Sequence, residues 1–173
     1  METGVAGRRY GFAGRALHWG MALLLGVQFL SVLSRVLLKD TAIEAFLWPL
    51  HKPNGFLLLV LVIVRIIWAL ASMKSRPPAV SAFSKAGHAA MYALVLIIPT
   101  LALLRQYGSG RAFSPFGLPL FPGFEGRIEW MMKPASLFHG WLGWALLALI
   151  AGHVFMAFWH RGRGRPDVFR RMW

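Results

Sequence analysis

The chain has 173 residues, of which 57% are hydrophobic and only 14% are charged, and its mean hydropathy is +0.56. Soluble domains usually carry about a quarter charged residues, so the composition argues against a soluble protein. The formal net charge is +13 and there is no cysteine. The basic residues flank long apolar runs, which indicates a membrane protein and not one that binds nucleic acid, and the lack of cysteine excludes disulfides, iron–sulfur clusters and covalently attached haem.

Four apolar stretches are long enough to cross a membrane, because a hydrocarbon core about 30 Å thick needs roughly 20 helical residues. They are predicted at approximately 16–38, 53–71, 87–107 and 138–160. No small-residue cleavage site ends the first stretch, so we expect a retained span and not a signal peptide. The pair Pro77-Pro78 should separate the second and third spans, and Pro99 should kink the third. The sequence therefore predicts an all-α integral membrane protein, a four-helix transmembrane bundle that forms a single domain over residues 1–173.

Lys and Arg are distributed unevenly between the two sides of this bundle. Eleven lie in the N-terminus, the second loop and the C-terminal tail, seven lie on the other side, and Arg65 lies within a span. The second side also carries four of the six acidic residues. Because positive residues favour the cytoplasm, we expect both termini to be cytoplasmic and the loop 108–136 to be periplasmic.

Histidines are the main candidates for chemistry inside the membrane. His139 and His153 lie in the fourth span, fourteen residues apart. In a helix this spacing places the two side chains within roughly 40° of the same face and separates them by about 21 Å along the axis. His18 opens the first span at the depth of His153, and His51 opens the second span at the depth of His139. The sequence thus predicts two histidine pairs between helices, one near each membrane surface.

Haem is the cofactor that two such pairs fit best. Zinc or copper would normally recruit three or four protein ligands, and the predicted spans contain no Asp or Glu. Haem needs only axial ligands from the protein, and two histidines leave no open position on the iron, which suits electron transfer. We therefore expect His18 with His153, and His51 with His139, to be the axial ligands of two haems.

Neighbouring residues add to each expected site, although each has an alternative explanation. Gly55 and Gly143 follow His51 and His139 by four residues, where they would admit the macrocycle or, equally, allow close helix packing. Arg65 lies fourteen residues after His51, at the depth of the inner pair, and would bind a haem propionate or extend to the lipid headgroups. Lys52 would bind a propionate of the other haem or be a simple interface charge.

Two further histidines lie on the predicted cytoplasmic side. His88 begins the third span and is an alternative partner for His153, a donor to a propionate or quinone carbonyl, and a candidate proton carrier in quinone chemistry. His160 follows His153 by seven residues but lies about 10 Å further out. We interpret His160 as an interface residue, and either histidine would be the first substitute if a ligand were assigned wrongly.

The ordered set of histidine segments resembles the bacterial cytochrome b561 family. The similarity extends from about Arg9 to Trp173 and lies in RALHW (15–19), HKPNGFLLLVLVIVRIIW (51–68), KAGHAAMYALVLIIP (85–99), HGWLGWALLALIAGHV (139–154) and the closing DVFRRMW. The fourteen-residue histidine spacing is also similar to that of the membrane cytochrome b subunits of hydrogenases and formate dehydrogenases.

The resemblance implies a four-helix protein of the bacterial cytoplasmic (inner) membrane, with two haems b, that communicates with the quinone pool. The family's ligands carry over onto His18, His51, His139 and His153, and its third-span histidine, usually not an axial ligand, matches His88. The sequence departs from the family at 53–54. It has Asn54 where a small or hydroxyl residue is expected, and Pro53 where an aliphatic residue is expected.

The long third loop, 108–136, is rich in Gly, Pro and aromatic residues. It is a candidate cap for the outer haem, part of a substrate pocket, a homodimer contact or a segment on the lipid surface. Basic residues near it could steer a small anion to the outer haem: Arg105, Arg111, Arg127 and Lys133. Relatives that oxidise superoxide and reduce ubiquinone make superoxide a candidate donor, while topology and lipid contact explain the same charges.

The predicted function is transmembrane electron transfer by a di-haem b protein between a small donor and the membrane quinone pool, as a quinone-linked oxidoreductase. The alternative is a membrane-anchor cytochrome b that relays electrons for a separate redox partner protein. A haem-free transporter of metals or solutes is disfavoured, because the spans lack carboxylates and the histidines form only pairs.

Overall fold

Five α-helices account for most of the residues that the computed structural model describes, which are 9–75, 81–162 and 171–172. Their bounds are α1 Phe12–Leu37, α2 Ala42–Leu47, α3 His51–Ala71, α4 Ala82–Gly108 and α5 Glu129–Gly162. Within these described ranges no strand forms beyond one isolated bridge, so the all-α prediction is confirmed. Arg8, the Pro77-Pro78 pair and most of the basic C-terminal tail lie outside the described residues.

Four helical segments are long and apolar enough to cross a membrane, which confirms the predicted four-helix architecture. They are α1, the continuous segment Ala42–Ala71, α4 and α5. The fourth begins at Glu129, nine residues before the predicted 138, so the loop before it is 109–128 and not 108–136. Glu129 and Lys133 lower the local hydropathy, which hid this extension, and Pro134 removes only one backbone hydrogen bond near the start of α5.

The four long helices meet at one apolar layer in the middle of the bundle. Each contributes one buried side chain to it: Met21, Val62, Val95 and Leu146. Helix α1 packs on α3, α3 on α4 and α4 on α5. Large apolar side chains such as Leu23 and Trp141 point outward and are largely exposed, as expected where lipid covers the outside of a bundle.

The first and last described residues of the chain lie at the same end of the bundle. The amide of Tyr10 donates to the carbonyl of Arg171 at 3.0 Å, and the indole of Trp19 donates to the carbonyl of Met172 at 2.8 Å. We call this end, which includes His18, the inner end, and the opposite end, where α3 begins, the outer end. That the inner end faces the cytoplasm stays a prediction from the Lys and Arg distribution.

The loop 109–128 folds against the outer end. Phe113 and Phe121 exchange backbone hydrogen bonds of 2.9 and 3.0 Å, and the Phe113 ring lies 6.3 Å from the ring of Phe56 on α3. Gly110 has a φ of +69°, and a Cβ there would lie 2.5 Å from the carbonyl oxygen of Phe124. Only glycine permits both this backbone conformation and this close approach, so the loop adopts a defined structure above the outer histidines.

Candidate functional site

Two pairs of histidine rings face each other between helices, one at each end of the bundle. At the outer end the ring centroids of His51 and His139 lie 6.2 Å apart, with the planes at 71°. At the inner end those of His18 and His153 lie 6.4 Å apart, with the planes at 74°. All four residues are of intermediate burial. The structure therefore brings together both pairs that the sequence predicts.

The separation within each pair matches that of two axial imidazoles on one metal. A metal–imidazole bond is about 2.0–2.1 Å long and the nitrogen lies about 1.1 Å from the ring centre, so a linear arrangement places the centroids about 6.3 Å apart. His88 lies closer to His153, with 5.2 Å between centroids, too short for a metal on the line between them. The geometry thus favours His18 over His88 as the partner of His153.

The donor set also fits haem better than a bare metal ion. Among the described residues, no three or more His, Cys, Asp or Glu side chains come together as a metal-binding group. A porphyrin supplies four equatorial nitrogens and asks the protein for two axial ligands. Each histidine pair provides that number.

Hydrogen bonds fix which nitrogen of each outer histidine carries its hydrogen. The Ser31 hydroxyl donates to the Gln28 carbonyl at 2.6 Å, so its oxygen accepts from Nδ1 of His51 at 3.0 Å. Nδ1 of His139 lies 3.2 Å from the carbonyl oxygen of Ile98, which can only accept. In both rings Nδ1 therefore carries the hydrogen and the Nε2 lone pair is available to a metal.

His51 is also held by an aromatic contact from the short helical turn before α3. The Trp48 ring stacks on the His51 ring at 5.1 Å between centroids, and the Arg35 guanidinium lies 5.4 Å from the centre of the Trp48 ring. Arg35 in turn forms a salt bridge with Glu44. This chain of contacts ties the ring orientation of His51 to the connection between α1 and α3.

The inner pair has a cation where the outer pair has a neutral acceptor. Arg65 donates from Nε to the Tyr92 hydroxyl at 2.8 Å, and its Nη2 lies 3.1 Å from Nδ1 of His18. Because a guanidinium only donates, Nδ1 of His18 accepts here and the hydrogen lies on Nε2. Arg65 thus turns into the bundle and not toward the headgroups. To bind a metal through Nε2, His18 would carry its hydrogen on Nδ1 and would lose the hydrogen bond from Arg65. Arg65 would then be available to bind an anion such as a propionate.

A cavity of about 800 Å³ at the outer end contains the space beside His51 and His139. Gly55 and Gly143 line it. A Cβ added at Gly143 would meet nothing within 4 Å, and one at Gly55 would meet only the Gln28 amide at 3.4 Å. These glycines therefore open onto space, which favours access for a macrocycle over close helix packing. The cavity suits a flat, largely apolar ring system.

The same cavity is lined by basic side chains, and among the described residues no Asp or Glu lines it. The basic residues are Arg35, Lys52, Arg105, Arg111 and Arg127. Lys52 donates to the side-chain oxygen of Gln106 at 3.1 Å, and Lys133 does not line the cavity. The charge distribution favours anionic groups at this end, either haem propionates or an anionic substrate.

The two remaining histidines lie outside both pairs. His88 is exposed, and its Nδ1 donates to the carbonyl of Ser84 at 2.7 Å, so its Nε2 can accept a hydrogen bond. His160 is half-buried, and its Nδ1 has no hydrogen-bond partner among the residues the structure describes. Neither geometry replaces a member of the two pairs.

Sequence reasoning missed the residues around the paired histidines. Gln28, Ser31, Trp48 and Tyr92 were not singled out, and Asn54 was noted only as a departure from the family pattern. Gln28 and Ser31 are polar residues three apart within an apolar span, which places them on one helix face. That signal could have identified the pair, but not its partner on another helix.

Two comparisons with known proteins bear on the family of this chain. A family model described as prokaryotic cytochrome b561 matches residues 9–173. The chain is also 29% identical over 170 residues to the protein named cytochrome b561 homolog 2 of Escherichia coli (strain K12), a match that covers 95% of this chain and 90% of that protein.

Proposed function

The chain belongs to the prokaryotic cytochrome b561 family, and from that membership we propose that it carries two haems b and passes electrons between a small donor and the membrane quinone pool. The family match and the four helices of this chain that could cross a membrane indicate a bacterial multi-pass membrane cytochrome b that acts in electron transfer. The observation that carries the proposal is the pair of centroid separations, 6.4 Å at the inner end and 6.2 Å at the outer end.

The histidines would hold one haem at each end of the bundle. His18 and His153 would bind the inner one, and His51 and His139 the outer one. When bound, each haem supplies an iron that takes up and releases one electron at a time without an open coordination position. Arg65 at the inner end and Lys52 at the outer end would donate to the propionates, while Gly55 and Gly143 would let the ring approach the helix backbone.

We propose a small anion, with superoxide as the candidate, as the electron donor at the outer end. Five basic side chains line the outer cavity, and one of them, Arg35, is paired with Glu44. No carboxylate lines the cavity within the part of the chain that the structure describes. The four other cations support an anionic substrate, because a cleft of one charge sign raises the local concentration of the opposite ion. Two superoxide ions would each lose one electron and leave as dioxygen. One quinone would take up both electrons and two protons to become a quinol.

We propose that His88 carries protons for quinone chemistry at the inner end. Its ring is exposed, and because Nδ1 is bonded to the Ser84 carbonyl, Nε2 is available to accept a proton. The Lys and Arg distribution supports a cytoplasmic position for this end in the bacterial inner membrane. His88→Ala should slow quinone-linked turnover several-fold with haem content unchanged, and unchanged turnover would remove this role.

Purified protein in detergent tests the proposed reaction. Superoxide from an enzymatic source should produce the reduced b-type absorption spectrum, an added ubiquinone analogue should reverse it, and superoxide dismutase should prevent it. Haem that dithionite reduces but superoxide does not would contradict the small-donor proposal. A partner protein that copurifies in mild detergent and is required for quinone reduction would then establish the anchor-cytochrome alternative.

A further inference from the structure

We propose that Ser31, Gln28 and Asn54 are positioning residues for His51. They form a hydrogen-bond network between α1 and α3 that directs Nε2 of His51 toward His139 and sets the reduction equilibrium constant of the outer haem. This inference rests on the proposed function, since it assigns a role toward the haem at that site. It adds residues outside the histidine ligands.

Ser31 is the direct acceptor for His51. Its side chain is completely buried, with a relative exposure of 0%. Its own hydrogen goes to the Gln28 carbonyl, which leaves an oxygen lone pair for the His51 Nδ1–H at 3.0 Å. The hydroxyl is therefore oriented as an acceptor, and neutral His51 is fixed with its hydrogen on Nδ1.

The Gln28 side chain contacts both the backbone and the ring face of His51. The Gln28 amide nitrogen donates to the His51 carbonyl at 3.2 Å. It also lies 3.2 Å from Nδ1 and 3.3 Å from Nε2 of the ring. Nearly equal distances to both ring nitrogens place the amide over the face of the imidazole and not in its plane, an N–H to π contact. It therefore does not compete with Ser31 for the Nδ1 hydrogen.

Asn54 fixes which way the Gln28 amide points. Asn54 is 7% exposed, and its amide nitrogen donates to the side-chain oxygen of Gln28 at 2.7 Å and to the Leu24 carbonyl at 2.9 Å. With its oxygen bound to Asn54, Gln28 must present its nitrogen to His51. Asn54 thus acts through Gln28, and a small or hydroxyl residue at 54 would lack the reach to do so.

The network changes the electronic properties of a ligand, because an acceptor on Nδ1 makes the imidazole more basic and stabilises the oxidised iron. Ser31→Ala should therefore raise the reduction equilibrium constant of one haem by about threefold to tenfold, where tenfold corresponds to 59 mV for a one-electron couple. The equilibrium constant of the other haem should not change.

The experiment is a spectroscopic redox titration of the purified, haem-loaded full chain. Ser31→Ala should shift the midpoint of one of the two components of the titration. Ser31→Thr keeps the hydroxyl, so in this variant the midpoint should return to the value of the unaltered chain. Ser34→Ala is the matched control, because Ser34 is also a buried serine of α1 but its hydroxyl donates to the Ser31 carbonyl and not to His51. Asn54→Leu is the second variant, and it should alter the electron paramagnetic resonance signature of the same haem by releasing the Gln28 amide.

The outcomes separate this inference from the proposed function. If the protein holds two haems and Ser31→Ala shifts neither component of the redox titration relative to Ser34→Ala, the inference is wrong. The di-haem proposal is then unaffected. An equal shift in Ser31→Thr would also overturn it, because the hydroxyl would not be responsible. If Ser31→Ala does not fold, an unaltered resonance signature in Asn54→Leu would overturn it by itself. Absence of haem from the unaltered chain would instead overturn the proposed function.

Discussion

The outer and inner histidine pairs have almost the same separation but opposite electrostatic surroundings. At the outer end Nδ1 of His51 meets a neutral acceptor, Ser31, while at the inner end Nδ1 of His18 meets the cationic donor Arg65. The first arrangement already presents Nε2 to a metal. The second requires Arg65 to move to another acceptor before His18 can do the same. A shared ligand pattern therefore does not make the two sites equivalent, since the residues behind the ligands set their properties.

The largest expected effect is loss of one haem and retention of the other. His51→Ala should reduce the haem content from two per chain to one, and His153→Ala should do the same at the other end, because the pairs lie on opposite ends of the bundle and share no residue. A pyridine haemochrome assay against protein concentration measures this. Loss of neither haem in His153→Ala would reassign the inner ligand, with His88 or His160 as the first substitutes.

Filling the outer cavity should weaken only the outer site. Gly143→Leu places a side chain in the open space beside His139, so haem affinity at that end should fall at least tenfold while the inner haem remains. Gly26→Leu is the matched control, because a Cβ there also meets nothing within 4 Å but Gly26 is exposed and does not line the cavity. Equal haem loss in both variants would show a general packing defect.

The inner site should respond to charge. Arg65→Gln removes a cation next to His18, which should lower the reduction equilibrium constant of the inner haem about fivefold to tenfold, or about 1–1.4 kcal/mol, since a nearby positive charge favours the added electron. Arg65→Lys should retain most of the effect. Lys85→Gln, an exposed cation at the same end, is the control, and redox titration gives the values. A shift of the outer haem would contradict the separation of the two sites.

The smallest expected effect concerns the rate at which an anionic donor reaches the outer end. Arg127→Gln should slow haem reduction by superoxide about twofold to fivefold at low ionic strength, and the difference should disappear in high salt as the charges are screened. Lys133→Gln, outside the cavity lining, should have less effect. A decrease that persists in high salt would indicate a structural cause instead of electrostatic attraction.

Helix geometry was enough to predict the membrane bundle and the histidine pairs. The fourteen-residue spacing of His139 and His153 fixes their face and depth, and the alternating direction of the spans fixes which of His18 and His51 lies opposite each. The same arithmetic cannot show that Ser31 meets His51 or that Tyr92 meets Arg65, because contacts between helices depend on how each helix is rotated and packed. The start of α5 was missed because its first two turns contain charged residues and a proline.

The haem-to-protein ratio of the unaltered chain, purified after expression with ample haem supply, tests the central claim most directly. Two b-type haems per chain are predicted, one for each histidine pair. A well-folded but colourless protein, or a reproducible ratio of one, would contradict the account.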